Sequence, residues 1–309
     1  MLAWQSGPVE ILTPRDVPLG GLRAMNVRRT LPQRRRTFVG AWCFIDHYGP
    51  DHVDPNTGGM VVSPHPHTGL QTVSWLFTGE IEHHDSAGHH ALVRPGEVNL
   101  MTAGRGISHS EYSTGSTTLL HGAQLWLALP EHARHTDPDF EHYAPKPILA
   151  GNWEARVFLG SLLDSTSPVR THTPLLGAEL RLRAGATLLV PVEEDFEHGL
   201  LLDSGAITVN GEPLAAHELG YVEPGRDHLL LKAQEDALLL LLGGPPFGEQ
   251  IVMWWNFIGR DHDEIVRYRD QWQGLINDGV ADQFTLPPGD LLPPIPAPPL
   301  PNARMVRRG

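Results

Sequence analysis

Apolar residues fall in short runs along most of the chain. In the first half these are QTVSWLF, EIEHH, HALVR, EVNLMTA and LHGAQLWLALP, with turn-forming residues between them. Short alternating or apolar runs punctuated by Gly and Pro predict an all-β sandwich or barrel. The segment DSAG (Asp85 to Gly88) predicts a hairpin turn between EIEHH and HHALV. The second half starts again in the same style, with ARVFLGSLL, AELRLRAG, ATLLVPV, HGLLLDSG, AITVNGEPL, LGYVEPG, HLLLKA and ALLLLLGG. Within it, LGYVEPGRDHLLL echoes ALVRPGEVNLMTAGRGISHSE: a strand, a Pro-Gly turn, then a strand carrying histidine. The echo predicts a worn internal repeat, two β-barrels in tandem. Pro130 to Pro147, bearing proline and acid, reads as the linker or crossover, so the predicted domains are 1–143 and 144–309.

One helix stands out, at about 261–273. In GRDHDEIVRYRDQWQ, Asp261 can cap, Glu264 follows three residues on, and Ile265, Tyr268 and Trp272 fall near one face. The tail from Leu286, LPPGDLLPPIPAPPLP, is too rich in proline for a ladder or a helix. It is expected to run extended, on the surface or hanging free.

Composition narrows the function. Thirty-six acidic residues against 23 Lys and Arg give a formal charge of −13. Unaided nucleic-acid binding needs a basic face, so no direct nucleic-acid partner is expected. Cys43 is the only cysteine, which rules out a disulfide within the chain and a thiolate-rich metal site. The start, MLAWQSGPVEILTPRDVPLG, lacks a basic segment followed by a long apolar one, and ALLLLLGG is too short to span a bilayer. The expectation is a soluble cytoplasmic protein with no membrane partner. Thirty-two Gly and 28 Pro suit many turns between short strands.

The candidate chemistry sits at Ser63 to Gly79, SPHPHTGLQTVSWLFTG. On a strand, residues i and i+2 share a face, so His65 and His67 send both imidazoles one way. Pro66 between them cannot donate to a ladder and marks a sheet edge or barrel mouth. RGISHSEYS places a second such pair, His109 and Glu111. Three imidazoles and one carboxylate from two strands form a ligand set suited to Fe(II), Ni(II), Mn(II), Cu(II) or Zn(II), among which the spacing does not choose. Four ligands on an octahedral ion leave two positions for substrate or O2.

These motifs carry a resemblance. Gly59, His65-Pro66-His67 and Gly79 fit the first motif of a cupin barrel, and Pro95-Gly96 with His109 fits the second in a longer form. The wording HPHTGLQTVSWLFTGEIEHHDSAG, RPGEVNLMTAGRGISHSE and GAQLWLALP resembles the pirin family. SPVRTHTPLLGAEL and PFGEQIVMWWNFIGRDHDEI resemble the second half of bacterial pirin-like proteins. The resemblance implies two jelly-roll-like cupin barrels face to face, with one Fe(II) in the first held by His65, His67, His109 and Glu111. It also implies a quercetinase-type dioxygenase, with Glu111 as ligand and general base for the 3-hydroxyl of a flavonol-like aromatic substrate, and O2 as co-substrate. A second class is a metal-bearing regulator that binds a protein partner. One departure is Gln71, where some members carry Glu. The second barrel shows no HxH, and only His228 after Pro224-Gly225 survives there.

Other residues read more plainly. His83, His84, His89 and His90 read as an exposed polar hairpin rather than a metal site. TAGRGISH is glycine-rich but lacks the Lys-Ser/Thr of a phosphate loop. Arg105 reads equally as a pocket-mouth or a solvent residue. Trp75, Trp126 and Met101 read as barrel packing, Trp254 and Trp255 as packing at the domain junction, and Cys43 as a small core residue.

Overall fold

Residues 9–19, 25–53, 59–280 and 282–309 are described by the computed structural model. The first eight residues, which include part of the start read above as lacking a targeting segment, lie outside them. The strands of the first half are β1 (Glu10–Leu12), β2 (Arg15–Leu19), β3 (Met25–Leu31), β4 (Trp42–His52), β5 (Val61–His67), β6 (Leu70–Thr78), β7 (Ile81–Asp85), β8 (His90–Val93), β9 (Val98–Thr102), β10 (Ile107–Ser113), β11 (Leu119–Ala128) and β12 (Asp139–Tyr143). They build a seven-stranded sheet, β12-β9-β6-β11-β4-β3-β2, and a four-stranded sheet, β5-β10-β7-β8. The run QTVSWLF becomes the middle of β6, buried on both faces because it lies inside the larger sheet and against the second barrel. The DSAG hairpin forms as predicted, with β7 and β8 antiparallel from Ile81↔Val93 to His84↔His90.

The second half repeats the plan, with a seven-stranded and a four-stranded sheet. Its larger sheet includes β1, which pairs antiparallel with Leu219–Val222, so the chain enters through the second barrel before building the first. The tandem all-β barrels expected from the repeat are present.

Two cores matter for the site. One fills the second barrel with Leu, Val and Ala, among them Leu180, Val190, Leu200 and Leu231. The other joins the two barrels: Trp75, Leu125 and Trp42 from the first meet Phe158, Leu201, Leu240 and Leu242 from the second. Trp42 Nε1 donates to the carbonyls of Leu176 and Gly243 (3.2 Å each), and Trp75 Nε1 donates to Glu179 Oε2 (2.8 Å), so each buried indole is satisfied across the junction.

The helix spans His262–Asp278, a turn longer than the pattern predicts. Asp261 caps it as expected, its carboxylate accepting from Glu264 N (2.9 Å), while Glu264 Oε2 accepts from Arg260 N (2.6 Å). Leu275 and Ile276 continue the apolar face past Trp272, and no proline or cap intervenes until Gly279, whose left-handed φ of 69° ends the helix. Trp254 and Trp255 pack under this helix beside Phe257, Ile265 and Trp272 rather than between the barrels. The proline-rich tail carries no strand or helix, as expected, but it is pinned: Ile295 N donates to Pro64 O, and Asp290 accepts from Ser110 and Tyr112. Among the described residues no helix is long and apolar enough to cross a membrane.

Candidate metal centre

Strand register assembles the site. β5 and β10 are antiparallel neighbours with His65 directly opposite His109 and His67 opposite Ile107. Paired residues share a face, so His65, His67, Ile107 and His109 all point into the first barrel. The register shifts between His109 and Glu111, a bulge on the strand that carries the second ligand pair. All four side chains predicted as ligands are buried.

The three imidazoles converge. His65, His67 and His109 each offer a nitrogen within 4.8 Å of the others. His65 Nδ1 lies 3.0 Å from the carbonyl of Ser63 and His67 Nδ1 lies 3.1 Å from that of Asn256. A carbonyl only accepts, so each Nδ1 carries the proton and each Nε2 keeps a lone pair aimed inward. The Nε2 atoms of His67 and His109 face each other at 3.0 Å. Ligating histidines usually tie their other nitrogen to a carbonyl or carboxylate in this way. Burial depresses the basicity of all three: His65 falls to about 4, and His67 and His109 well below the usual imidazole range, so all are neutral at pH 7. Neutral, buried, pre-oriented donors fit a divalent transition ion.

Glu111 joins this group through His109. Its carboxylate clusters with His83 and His109, each within 4.8 Å, and Ser74 Oγ donates to its Oε1 at 3.4 Å. Burial raises its pKa, partly offset by His83 and by the Ser74 hydroxyl. The structure therefore gives two overlapping sets that share His109: the three predicted histidines, and Glu111 with His83.

His83 is what the pattern reading missed. It was expected on an exposed hairpin, and His84 and His90 are indeed partly or fully exposed, but His83 is buried beside the site. Its Nδ1 lies 3.4 Å from His109 Nδ1, and its Nε2 lies 3.4 Å from the buried Asp85. β7 pairs with β10 so that His83 stands opposite Glu111 and shares its face. Only the pairing partner of β7 was missing, and a single sequence does not supply that.

The remaining surroundings mix apolar and polar side chains. Trp126 stacks on Phe44 (centroids 3.9 Å apart) and meets His67 edge-on at 5.1 Å, so it packs as expected but against a ligand. Gln71 is buried and donates to Thr102 Oγ1 (2.8 Å). Arg105 is exposed and pairs with Asp137. Cys43 is buried in the core, and burial raises its thiol far above the reactive range. In the second barrel His228 is exposed beside Asp227.

Comparisons with known proteins agree with the two-barrel fold. The Pirin family model matches residues 23–127, and that of the Pirin C-terminal cupin domain matches residues 177–277. A Pseudomonas aeruginosa protein provisionally named a quercetin 2,3-dioxygenase is 43% identical over 267 residues, covering 85% of this chain and 82% of that protein. A pirin-like protein of Caulobacter vibrioides is 35% identical, covering 80% of this chain and 88% of its own length. A crystal structure of a quercetin 2,3-dioxygenase from Acinetobacter baumannii superposes with a TM-score of 0.88 at 37% identity, covering 96% of both chains.

Proposed function

The chain belongs to the pirin family, and on that footing we propose that it is a metal-dependent dioxygenase of the quercetin 2,3-dioxygenase type, acting with O2 on flavonol-like substrates. The observation that carries this reading is the set of three neutral, inward-aimed imidazoles beside one buried carboxylate. We assign His65, His67, His109 and Glu111 as ligands and Fe(II) as the resident ion, although Ni, Mn, Cu and Zn suit the same donors. A bound ion supplies Lewis acidity toward the substrate hydroxyl and a path for electrons to O2.

The chain's own residues do the rest. Glu111 takes the proton of the flavonol 3-hydroxyl, with Ser74 orienting its carboxylate. Burial, by raising its pKa, makes that carboxylate a stronger base than an exposed one. Trp126, Phe44 and Ile107 wall the site with apolar surface that excludes water and suits a flat aromatic ring. The second barrel, without its own HxH, buttresses the first. A lone buried cysteine suits work in the cytoplasm.

The test is oxygen uptake. Protein loaded anaerobically with Fe(II), then given quercetin and air, is expected to consume O2 in proportion to flavonol, and His67→Ala is expected to abolish this. No uptake by fully loaded protein would overturn the dioxygenase reading. A stable protein complex recovered with such inactive protein would favour the regulatory one.

A further inference from the structure

A second cluster of metal-ligating side chains lies away from this centre, where the two barrels meet. His47 on β4 and His121 on β11 belong to the first barrel; Asp203, on strand Glu197–Ser204, belongs to the second. His47 and His121 each bring Nε2 to 2.5 Å from the same oxygen, Asp203 Oδ1. His47 and Asp203 are buried, and His121 is nearly so. His217, also from the second barrel, packs beside them with its ring 5.5 Å from that of His47, and its Nδ1 is buried without a hydrogen-bond partner among the described residues. From these four side chains we propose a second transition-metal site, bridging the barrels, that binds Zn(II) or a similar borderline ion through His47, His121 and Asp203, with His217 as the fourth donor.

The local backbone is built to bring these groups together. His47 pairs with Ala123 across β4 and β11, two residues from His121, so both imidazoles leave the sheet on one side. The β11 register shifts between Leu120 and Gly122, a bulge centred on His121 of the kind that re-aims a side chain. On the other barrel, His217 adopts a left-handed φ of 72° and its N donates to Leu202 O (2.6 Å), which fixes it next to Asp203. A non-glycine residue in that conformation is uncommon and persists only where surrounding contacts hold it.

The chemistry fits a metal better than it fits a set of hydrogen bonds alone. Three imidazoles and one carboxylate are far more than one buried aspartate needs, and His217 Nδ1 has no protein partner to satisfy it. A tetrahedral zinc with ligands at about 2.0–2.1 Å holds them about 3.3 Å apart, so each imidazole retreats from Asp203 by less than about 1 Å. Burial pushes the Asp203 pKa up, but the two imidazoles donating to it win and hold it ionised well below the usual carboxylate range. Two features set the strength. Arg28, opposite His47 in the β3–β4 ladder, adds positive charge nearby, and His47 Nδ1 has no second partner to orient it. Binding here is therefore expected to be weaker than at the first-barrel centre.

The experiment silences the first centre and leaves the junction intact. His65→Ala/His67→Ala protein is titrated with Co(II), read by visible absorption, and with Zn(II), read by equilibrium dialysis. One equivalent is expected, with the intense visible bands of a tetrahedral N/O site, together with a rise in melting temperature. Asp203→Ala or His121→Ala on this background should abolish both, and the milder His217→Gln should weaken binding by roughly tenfold or more while leaving the fold intact by circular dichroism. Absence of the equivalent overturns the site and leaves the cluster a hydrogen-bonded clamp. Retention of the equivalent in the Asp203→Ala and His121→Ala proteins also overturns it and moves the ion to a group that this background keeps, the partly exposed Glu82, His84 and His90 or the buried His83, His109 and Glu111. This outcome does not depend on the dioxygenase reading, because the background protein lacks two of the four ligands on which that reading stands.

Discussion

At the scale of single residues, ligand and base functions can be separated. His67→Ala removes an imidazole that is neutral, buried and tied through Nδ1 to Asn256. Metal content should fall to a small fraction of the wild-type value by elemental analysis, whereas circular dichroism should show the fold retained, since two barrel cores do not depend on this ligand. His228→Ala, at an exposed position, should leave metal content unchanged. Glu111→Gln keeps the shape and a carbonyl oxygen but loses the charge and most of the basicity. The variant is expected to keep part of its metal and to oxidise flavonols about 10²–10⁴-fold more slowly, the usual worth of a general base. Raising the pH should restore part of the rate, because an ionised flavonol no longer needs the base. A wild-type rate near neutral pH in metal-loaded Glu111→Gln protein would make Glu111 a ligand only. The i, i+2 pairs made the shared face of His65 and His67, and that of His109 and Glu111, legible, since strand alternation alone puts each pair on one face. His83 was not legible, because its place depends on which strand β7 pairs with, and alternation says nothing about partners.

At the scale of elements, strand Glu197–Ser204 carries a pH dependence outside the metal centre. His198 is fully buried, with neither ring nitrogen hydrogen-bonded, and burial lowers its pKa to about 4. The unfolded chain binds this proton near pH 6.5 and the folded chain only near 4. Between those values the unfolded state holds more protons, so stability contributed by neutral His198 is complete above pH 6.5 and is lost as the pH falls toward 4. At about 1.4 kcal/mol per pH unit this amounts to roughly 3 kcal/mol at most. His198→Leu should flatten the fall in urea-unfolding free energy between pH 6.5 and 4 by that order, and an unchanged slope would show that the imidazole is hydrated. Elements were legible where a local signal ends them. The N-terminus of the helix was marked by Asp261 and Glu264, while its C-terminal end was set too early, because Leu275 and Ile276 carry the apolar stripe on to Gly279. The tail was legible as irregular chain but not as a strap, because the partners of Asp290 are outward-facing residues of β10 almost 180 positions away in sequence.

At the scale of the whole molecule, the two barrels share a core, and this decides how they unfold. The repeat in the sequence announced two units, but nothing in the alternation says which strand faces are solvated and which meet another barrel. That is set by side chains such as Phe158 and Trp75, whose rings stack 4.5 Å apart across the junction. β1 also crosses over to pair within the second barrel's sheet, so the first residues of the described chain link the two units covalently and by a ladder. A shared core and an exchanged strand predict one calorimetric transition rather than two. Phe158→Ala tests this coupling. The ring is fully buried, and truncating a buried Phe to Ala costs about 3–5 kcal/mol through lost burial and the cavity left behind. Because Phe158 lies on the far side of β6 from His65, His67 and His109, metal content at the first-barrel centre should stay near wild type at temperatures where the variant is folded. His67→Ala should do the reverse, losing metal with little loss of cooperativity. Two separate transitions in Phe158→Ala calorimetry, with the metal leaving in only one of them, would show barrels that fold independently and merely touch. A single transition shifted to lower temperature, with metal lost in the same step, is the outcome expected from a core that belongs to both.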